Sequence, residues 1–501
     1  MTVTATDDAG NTNMSTGTPG SFSLFPPGDS ASWTCNASGG TGGSSLVNCM
    51  TLAGQGTQDM PSDTPSQTVS QCFSGATWAF SGYADPSMRA DPVIDPTFGP
   101  TIWMLYSYPS YNWSVAGNPS QGIPCSNTPT VETHLASSST DSGASWQAWC
   151  QGADCDTATP IWPSEPYCTG SIPGISTSCT AQCAVPAGSP WSTCFSSHEV
   201  ANFWPVYISP LETWFAVHLM YWVEQGTAIS NTDISYGCLV VSESGTPTGL
   251  GWALGSGPNS CANSSAFPSN NSPLLFTNLT SLAQRADPSL TACISWGEPA
   301  ITVAGAPSEP DEYAVYLASS CLDTHSGTEG YFIFVSQAFT AAPSSPAGLT
   351  WSYYAGPLPY SVTNTGTYMQ NENQGVNSMT EFDWAVRADG TMVAVVTPEY
   401  VIGEGGASGE PFQYGCLVFN FDLTNASSPF GSLVATLNDT GVAGSSPQPN
   451  SEEWGSNGCT YDPMSNTGVV IVRRLLNSSY THPLKPNQDE TYTIMDTGVL
   501  P

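Results

Sequence analysis

Short runs of alternating hydrophobic and polar residues follow one another along most of the chain, separated by stretches rich in Gly, Ser and Pro. Alternation with a period of two is typical of a β-strand that buries one face. Strong helical periodicity is hard to find in any segment. The pattern therefore predicts an all-β fold in which strands are joined by tight turns and long loops.

Five segments look like versions of one strand–turn–strand unit, and they begin near residues 89, 198, 296, 380 and 452. The sequence "YGCLV" occurs at 236–240 and again at 414–418, which supports an internal repeat. Four-stranded units arranged around one axis protect their edge strands, as in a propeller. We predict a β-propeller of four-stranded blades, with five blades favoured and six possible. A Gly/Ser-rich β-sandwich is the competing architecture.

The repeated units place the propeller in residues 78–501, so the N-terminal segment has a separate role. Residues 21–77 are expected to supply a closing strand, a cap or an extra blade. Within residues 1–20, the opening "TVTATDDAGNTN" resembles the last strand of a bacterial immunoglobulin-like repeat. This resemblance implies that the chain was cut from a longer protein whose targeting signal lies upstream.

The charge balance of the chain excludes several kinds of partner. Its 501 residues include 40 acidic residues but only six Lys and Arg, so the net charge of −34 comes mainly from missing base. Nucleic acid and anionic membrane surfaces are therefore poor partners. No run of 18 apolar residues occurs, which argues against a transmembrane helix.

Cysteine usage indicates an oxidising compartment. The chain has 16 cysteines, and six of them lie between Cys150 and Cys194 in a Pro/Ser/Gly-rich segment that needs staples to pack. We expect disulfide-stapled loops and an extracellular or cell-surface protein. A zinc site is the weaker alternative, because no paired CxxC knuckles occur. Glycosylation sequons such as those at Asn36, Asn112, Asn278 and Asn477 fit a secreted glycoprotein.

The segment "SSSTDSGASWQAW" at 137–149 predicts a β-hairpin, because "DSG" is turn chemistry between two alternating runs. Its pattern resembles the Asp box (BNR repeat) of sialidase-type β-propellers at all four positions, which are Ser139, Asp141, Gly143 and Trp146. The resemblance implies the propeller fold. It implies little about chemistry, since the Asp of such a box has a structural role on the blade rim.

An acidic residue stands near the start of the first strand of every unit. The set comprises Asp85 and Asp91 beside Arg89, then Glu199, Glu298, Glu381 with Asp383, and Glu452 with Glu453. Around one axis these carboxylates would share a pocket, where some pKa values rise and others stay low. Glycoside hydrolysis needs such a pair of acid and base. Tryptophans near the same strand starts offer flat apolar faces for a sugar ring.

The motifs "RADPVI" and "WGEPAI" resemble the Asp-Pro and Glu-Pro motifs of five-bladed glycosidases of the arabinanase and fructosidase kind. This resemblance implies that Asp91 is the base or nucleophile and that Glu298 is the proton donor. The acid that tunes their pKa values would be Glu199 or Asp383. The alternative for the same carboxylates is a structural Ca²⁺ site, with no cofactor otherwise required.

Residues for substrate binding follow from the same comparison. "RADP" stands where sialidases carry an arginine motif, which makes Arg89 a ligand for a substrate carboxylate. Predicted neighbours in the substrate site are Trp296, Trp384 and His198. A sialidase has three converging arginines, however, and here at most Arg89 and Arg285 could converge. The usual Tyr nucleophile with its Glu partner cannot be assigned from the sequence either.

Two function classes remain. The first is a secreted, sialidase-like or arabinanase-like glycoside hydrolase that acts through carboxylates at the mouth of the channel. The second is a non-catalytic surface propeller that binds carbohydrate, adheres or builds a coat, with self-assembly left open. Both classes have a carbohydrate or glycan as the expected partner. No Gly-x-Ser-x-Gly elbow supports a serine hydrolase.

Overall fold

The computed structural model describes the strands of the chain and many of the turns beside them. The described residues are 3–6, 12–15, 48–51, 84–95, 99–111, 117–118, 123–124, 129–138, 147–149, 160–163, 194–208, 211–224, 237–251, 261, 267–288, 290, 293–307, 309, 311–323, 330–358, 376–386, 391–401, 411–413, 416–437, 459–461, 469–475 and 490–496.

Three short strands come before the first full sheet. Strands β1 (Val3–Thr6) and β2 (Thr12–Ser15) pair as an antiparallel hairpin, while β3 (Asn48–Thr51) joins a sheet made by the C-terminal part of the chain.

Five antiparallel sheets form the body of the protein, and each follows the chain outward from a first strand. Blade 1 contains β4 (Ala84–Asp95), β5 (Gly99–Tyr111), β8 (Pro129–Ser138) and β9 (Gln147–Ala148), with the short pair β6 (Gly117–Asn118) and β7 (Ile123–Pro124) between β5 and β8. Blade 2 contains β10 (Cys194–Ile208), β11 (Leu211–Glu224), β12 (Cys238–Ser244) and β13 (Asn271–Leu275). Blade 3 contains β14 (Cys293–Gly305), β15 (Tyr313–Asp323), β16 (Gly330–Ser336) and β17 (Trp351–Ala355).

The last two blades complete the ring. Blade 4 contains β18 (Val376–Val386), β19 (Met392–Val401), β21 (Cys416–Phe421) and β22 (Phe430–Leu437), and the short β20 (Pro411–Gln413) also pairs with β19. Blade 5 contains β23 (Cys459–Tyr461), β24 (Val469–Leu475) and β25 (Glu490–Asp496), with β3 as its fourth strand. Strand β3, from the N-terminal part of the chain, therefore completes the blade that is built by the C-terminal strands.

The first strands of the five blades, β4, β10, β14, β18 and β23, contact one another in a closed ring. They are the inner strands of a β-propeller, which confirms the predicted fold. The predicted repeat is also confirmed, because both copies of "YGCLV" lead into the third strand of their blade, β12 in blade 2 and β21 in blade 4.

Blade 2 buries both of its faces, and β11 shows how the sequence does this. Its residues Trp214 and Ala216 pack with blade 1 in one core cluster, while the alternate residues Phe215 and Val217 pack with blade 3 in another. A third core cluster joins blades 3 and 4. Burying one such large apolar side chain contributes about 1.5–3 kcal/mol.

One α-helix, α1 (Phe276–Ala286), follows the last strand of blade 2. Phe276, Leu279 and Ala283 lie on one side of it and are buried in the core between blades 2 and 3. No helix in the described ranges is long and apolar enough to span a bilayer.

Two disulfides are present among the described residues. Cys238–Cys261 ties the start of β12 to the segment that follows it, and Cys293–Cys321 links β14 to β15 near the start of an inner strand. Such crosslinks reduce the conformational freedom of the unfolded chain. They confirm the disulfide staples expected from the cysteine content.

Candidate active site

Arg89 and Asp383 form an ion pair at the centre of the ring of inner strands. Arg89 lies on β4 of blade 1 and is only 2% exposed. Its Nη1 donates to Oδ2 of Asp383 at 3.0 Å, its Nη2 donates to Oδ1, and Nη2 also donates to the carbonyl oxygen of Trp384 at 2.8 Å. Blades 1 and 4 are thus joined by a buried pair of opposite charges.

Side chains from two further blades bind the same carboxylate. Thr460 of blade 5 donates from Oγ1 to Oδ2 of Asp383 at 2.7 Å, and Asn202 of blade 2 donates from Nδ2 to Oδ1 at 2.8 Å. Thr460 Oγ1 accepts from the backbone N–H of Met88 at 2.8 Å, and Asn202 Oδ1 accepts from that of Ile301 in blade 3 at 3.1 Å. We call this set the axial network, since it contains a residue from the inner strand of every blade.

The axial network explains how two charges can be held in the interior. A buried ion pair is stable only when further hydrogen bonds replace the lost water. The guanidinium of Arg89 also lies 4.8 Å from the ring centre of Trp204, a cation–π contact. The structure therefore places Arg89 and Asp383 inside the protein, each as the other's counter-ion. It gives no support to the expected roles of Arg89 as a substrate ligand and Asp383 as a pKa modulator.

The inner strands carry a β-bulge just before the axial network. In β4 the pairing with β5 passes from Ala84 to Ser87, so Asp85 and Pro86 are left out of the ladder. In β14 the pairing with β15 passes from Gly297 to Ala300, which leaves out Glu298 and the proline after it. The inner strands β10 and β18 have register shifts in the same region.

Asp85 and Glu298 have the same unusual backbone conformation. Their φ angles are 52° and 47°, in the left-handed region that residues with a side chain seldom adopt. Such positions cost on the order of 1–3 kcal/mol each and are concentrated at functional sites. A bulge also re-aims the side chain it carries. Blades 1 and 3 therefore share one backbone feature, a bulge with an acidic residue in the left-handed conformation, at equivalent positions.

The residue of blade 1 that matches Glu298 in backbone conformation is Asp85, because both lie in a register shift with a positive φ. Asp91 lies beyond Arg89, in a second register shift of β4 between Ala90 and Ile94, and its role as base or nucleophile stays a prediction. The Oδ2 of Asp91 accepts a hydrogen bond from Nε1 of Trp103 on β5 at 3.2 Å. The segment that corresponds to "WGEPAI" in backbone conformation is thus "YADPSM".

Glu199 lies on the inner strand of blade 2, directly before the register shift between Glu199 and Asn202. Burial, followed by the nearby Asp85 carboxylate, raises the pKa of Glu199 from 4.5 to about 8. A hydrogen bond with Tyr221 on β11 offsets part of this rise. Burial and the Glu199 charge in turn raise the pKa of Tyr221. Glu199 is therefore protonated at neutral pH, beside a second carboxyl group.

His198 lies on the opposite face of β10 from Glu199, because successive side chains of a strand alternate. Its Nδ1 is 3.1 Å from Nε2 of His218, its Nε2 is 3.1 Å from Oγ of Ser196, and Trp162 stacks on His218 at 4.1 Å. Burial lowers the pKa of His198 to about 3. His198 is thus a neutral interior residue with 1% exposure, so a substrate contact has no structural support here.

Trp296 and Trp384 are fully buried. Trp296 contacts Phe332 and Phe334 edge-to-face, and its Nε1 donates to Oγ1 of Thr280 at 3.0 Å. Trp384 packs on Phe382 at 5.0 Å between blades 3 and 4. Both indoles are core residues with no face open to a ligand, and their contact with a substrate stays a prediction.

Other expected features are only partly described. The predicted hairpin is confirmed, since Ala136 and Ser137 of β8 pair with Ala148 and Gln147 of β9. The Asp-box residues Ser139, Asp141, Gly143 and Trp146 lie outside the described residues, as do Glu452 and Glu453. Within the described ranges, no three His, Cys, Asp or Glu side chains form a group suited to a metal ion. The calcium site stays a prediction.

Comparisons with known proteins do not assign the chain to a family. No model of a protein family and no curated protein matches the chain. An N-acetylgalactosamine deacetylase from F. plautii, solved with blood group B trisaccharide, is similar with 11% identity and a TM-score of 0.39, over 87% of this chain and 92% of that one. A thermostable family-43 glycoside hydrolase has 9% identity and a TM-score of 0.34, over 84% and 91%. For Trypanosoma rangeli sialidase the identity is 11% and the TM-score 0.32, over 84% and 56%. Function has to be inferred from the residues of this chain.

Removing the charge of Asp383 tests the axial network. We expect Asp383→Asn to lower the free energy of unfolding by about 3–5 kcal/mol, because it leaves the buried Arg89 cation without a counter-ion. Chemical denaturation measures the loss. The exposed Asp311→Asn is the control and should change stability by less than about 0.5 kcal/mol. A loss for Asp383→Asn as small as that of the control would contradict the network.

The raised pKa of Glu199 predicts a pH-dependent stability. The folded state favours the neutral carboxyl, so its contribution is complete below about pH 4.5 and is lost as the pH rises through about 8. Glu199→Gln keeps a neutral group at every pH. The Tm of the wild type should therefore fall relative to that of Glu199→Gln between pH 5 and 8.5. The exposed Glu309→Gln should follow the wild type, and parallel profiles for all three proteins would refute the shift.

Proposed function

We propose that the protein is a secreted glycoside hydrolase whose active site lies at the register shifts of the inner strands of blades 1, 2 and 3 that contain Asp85, Glu199 and Glu298. The observation that carries the proposal is the left-handed conformation of both Asp85 and Glu298 at equivalent bulges. Glu199 stands between them on β10, whose neighbours in the ring are β4 and β14. We call this end of the propeller the acidic end.

The three carboxyl groups fit the division of labour that glycoside hydrolysis requires. Because Glu199 holds a proton at neutral pH, it adds no negative charge beside Asp85, to which we assign the role of base or nucleophile. Glu298 gives its proton to the leaving glycosidic oxygen. Asp85 then takes a proton from the attacking water or bonds to the anomeric carbon, depending on the separation of the two groups.

The distribution of cations favours a substrate without a carboxylate. Arg89, the residue expected to bind such a group, is committed to Asp383. Arg285 lies on α1, which follows the outermost strand of blade 2. A neutral glycoside therefore suits the acidic end better than a sialoside. The disulfides support secretion, since they persist in oxidising compartments.

A hydrolysis screen on aryl glycosides, including an arabinofuranoside and a sialoside, tests this function. We expect turnover of a neutral glycoside, with kcat/KM reduced about 10²–10⁴-fold in both Asp85→Asn and Glu298→Gln. Asp91→Asn is the matched control, because it alters the second Asp-Pro dipeptide, and it should keep most of the activity.

Two results would contradict the proposal. If Asp91→Asn abolished turnover while Asp85→Asn did not, the assignment of the base would be wrong. If no glycoside were hydrolysed by a correctly folded wild type, the non-catalytic propeller would become the better description.

A further inference from the structure

A large cleft opens between blades 3 and 4, away from the acidic end. Its volume is about 1040 Å³, and it is lined by the end of β14, the start of β19 and the segment 422–429 between β21 and β22. Glu298 lies in the middle of β14 and Ala304 near its end, a separation of roughly 20 Å at the usual rise of a strand. The cleft is therefore separate from the proposed active site.

The walls of the cleft combine an apolar floor with a polar rim. Tyr354, Met392 and Phe430 line it and are half-buried, so part of each side chain remains accessible. The rim is made of exposed polar residues, namely Asp422, Thr424, Asn425 and Ser428. Sugars need this combination, because a pyranose has apolar C–H faces and a periphery of hydroxyls.

The rim is held in place before any ligand arrives. The hydroxyl of Tyr354 on β17 donates to the carbonyl of Leu423, which ties blade 3 to the rim segment of blade 4. Oδ1 of Asp422 accepts from the N–H and Oγ1 of Thr424 at 2.9 and 2.6 Å. A rim that is already ordered loses little conformational entropy on binding.

The charge of the residues that line the cleft narrows the class of ligand that it can bind. Among the described residues that line the cleft, one side chain is acidic, Asp422, and none is basic. A ligand without a net charge avoids repulsion from the Asp422 carboxylate, which can accept hydrogen bonds from its hydroxyls. The volume lies at the upper end of the ~300–1,000 Å³ range of small-molecule pockets, enough for several sugar units.

We propose that the cleft between blades 3 and 4 is a second, non-catalytic binding site for a neutral oligosaccharide. Tyr354 and Phe430 would contact the C–H faces of the sugar, while Asp422 and Asn425 would bond its hydroxyls. Binding here requires no hydrolysis, so the site stands whether or not the acidic end is catalytic. Its occupant would hold the protein on a glycan while the acidic end remains free.

Two glycines allow a clean test of the cleft. Gly305 lines the cleft, and a Cβ added there would meet no atom within 4 Å. We therefore expect the backbone to tolerate Gly305→Trp, whose indole would obstruct the cleft. Gly245 is equally open and lies in blade 2 directly after β12, so Gly245→Trp is the matched control. A second variant, Asp422→Ala, removes the exposed carboxylate of the rim.

The measurement is isothermal titration calorimetry in a Glu298→Gln background, which prevents turnover. The probes are cellopentaose, xylopentaose, mannopentaose and arabinopentaose, with pentagalacturonic acid as the anionic control. We expect at least one neutral probe to bind, with its Kd raised about tenfold or more by Gly305→Trp and by Asp422→Ala but not by Gly245→Trp.

Three outcomes would overturn the proposal. They are a failure of all four neutral probes to bind, binding that Gly305→Trp leaves unchanged, and a preference for pentagalacturonic acid. A negative hydrolysis screen would leave this test unaffected, so failure of the active site and failure of the cleft are distinguishable.

Discussion

The buried ion pair between Arg89 and Asp383 is the interaction on which the rest of the structure depends. Each charge would be strongly destabilising alone, and together they are stable only because Asn202 and Thr460 complete the hydrogen bonding of the carboxylate. Those partners come from different blades, so the requirement can be met only when the inner strands close into a ring. The buried ion pair therefore requires the closed ring, which brings its hydrogen-bond partners together at the axis.

The axial network also fixes the backbone behind each candidate catalytic acid. Asp85 comes four residues before Arg89, and Glu199 comes three residues before Asn202. Glu298 likewise comes three residues before Ile301, whose N–H bonds to Asn202. Left-handed conformations at two of these acids are unfavourable by themselves, and they persist only where the surrounding structure determines them. The network supplies that constraint three or four residues along the chain from each acid.

Much of the fold could be predicted from local pattern alone. Alternation identified the strands, and the duplicated "YGCLV" identified the repeat, because each feature is a property of neighbouring residues. The contacts at the axis have no such signature. Arg89 and Asp383 are 294 residues apart, so nothing near either residue shows that they meet. The same absence explains why Arg89 was interpreted as a substrate ligand.

The sequence predicted that acidic residues of the inner strands form the candidate site, but it did not predict which of them occupy equivalent positions. Two Asp-Pro dipeptides lie six residues apart at Asp85 and Asp91, and both fall in register shifts of β4. Only the left-handed conformation of Asp85 distinguishes them, and no local sequence signal predicts which of the two adopts it. The burial of His198 could have been inferred from strand alternation once Glu199 was assigned to the acidic end. The hydrogen bond between Tyr221 and Glu199 joins two neighbouring strands, and no local sequence motif predicts it.

The most direct test of this account is a crystal structure that resolves the inner strands and their carboxyl groups. We predict that Arg89 is buried against Asp383, and that the carboxyl groups of Asp85 and Glu298 face one opening about 5–9.5 Å apart, the range that glycosidases use. An Arg89 side chain directed to solvent would contradict the axial network, and carboxyl groups well beyond about 10 Å from each other would contradict the active site.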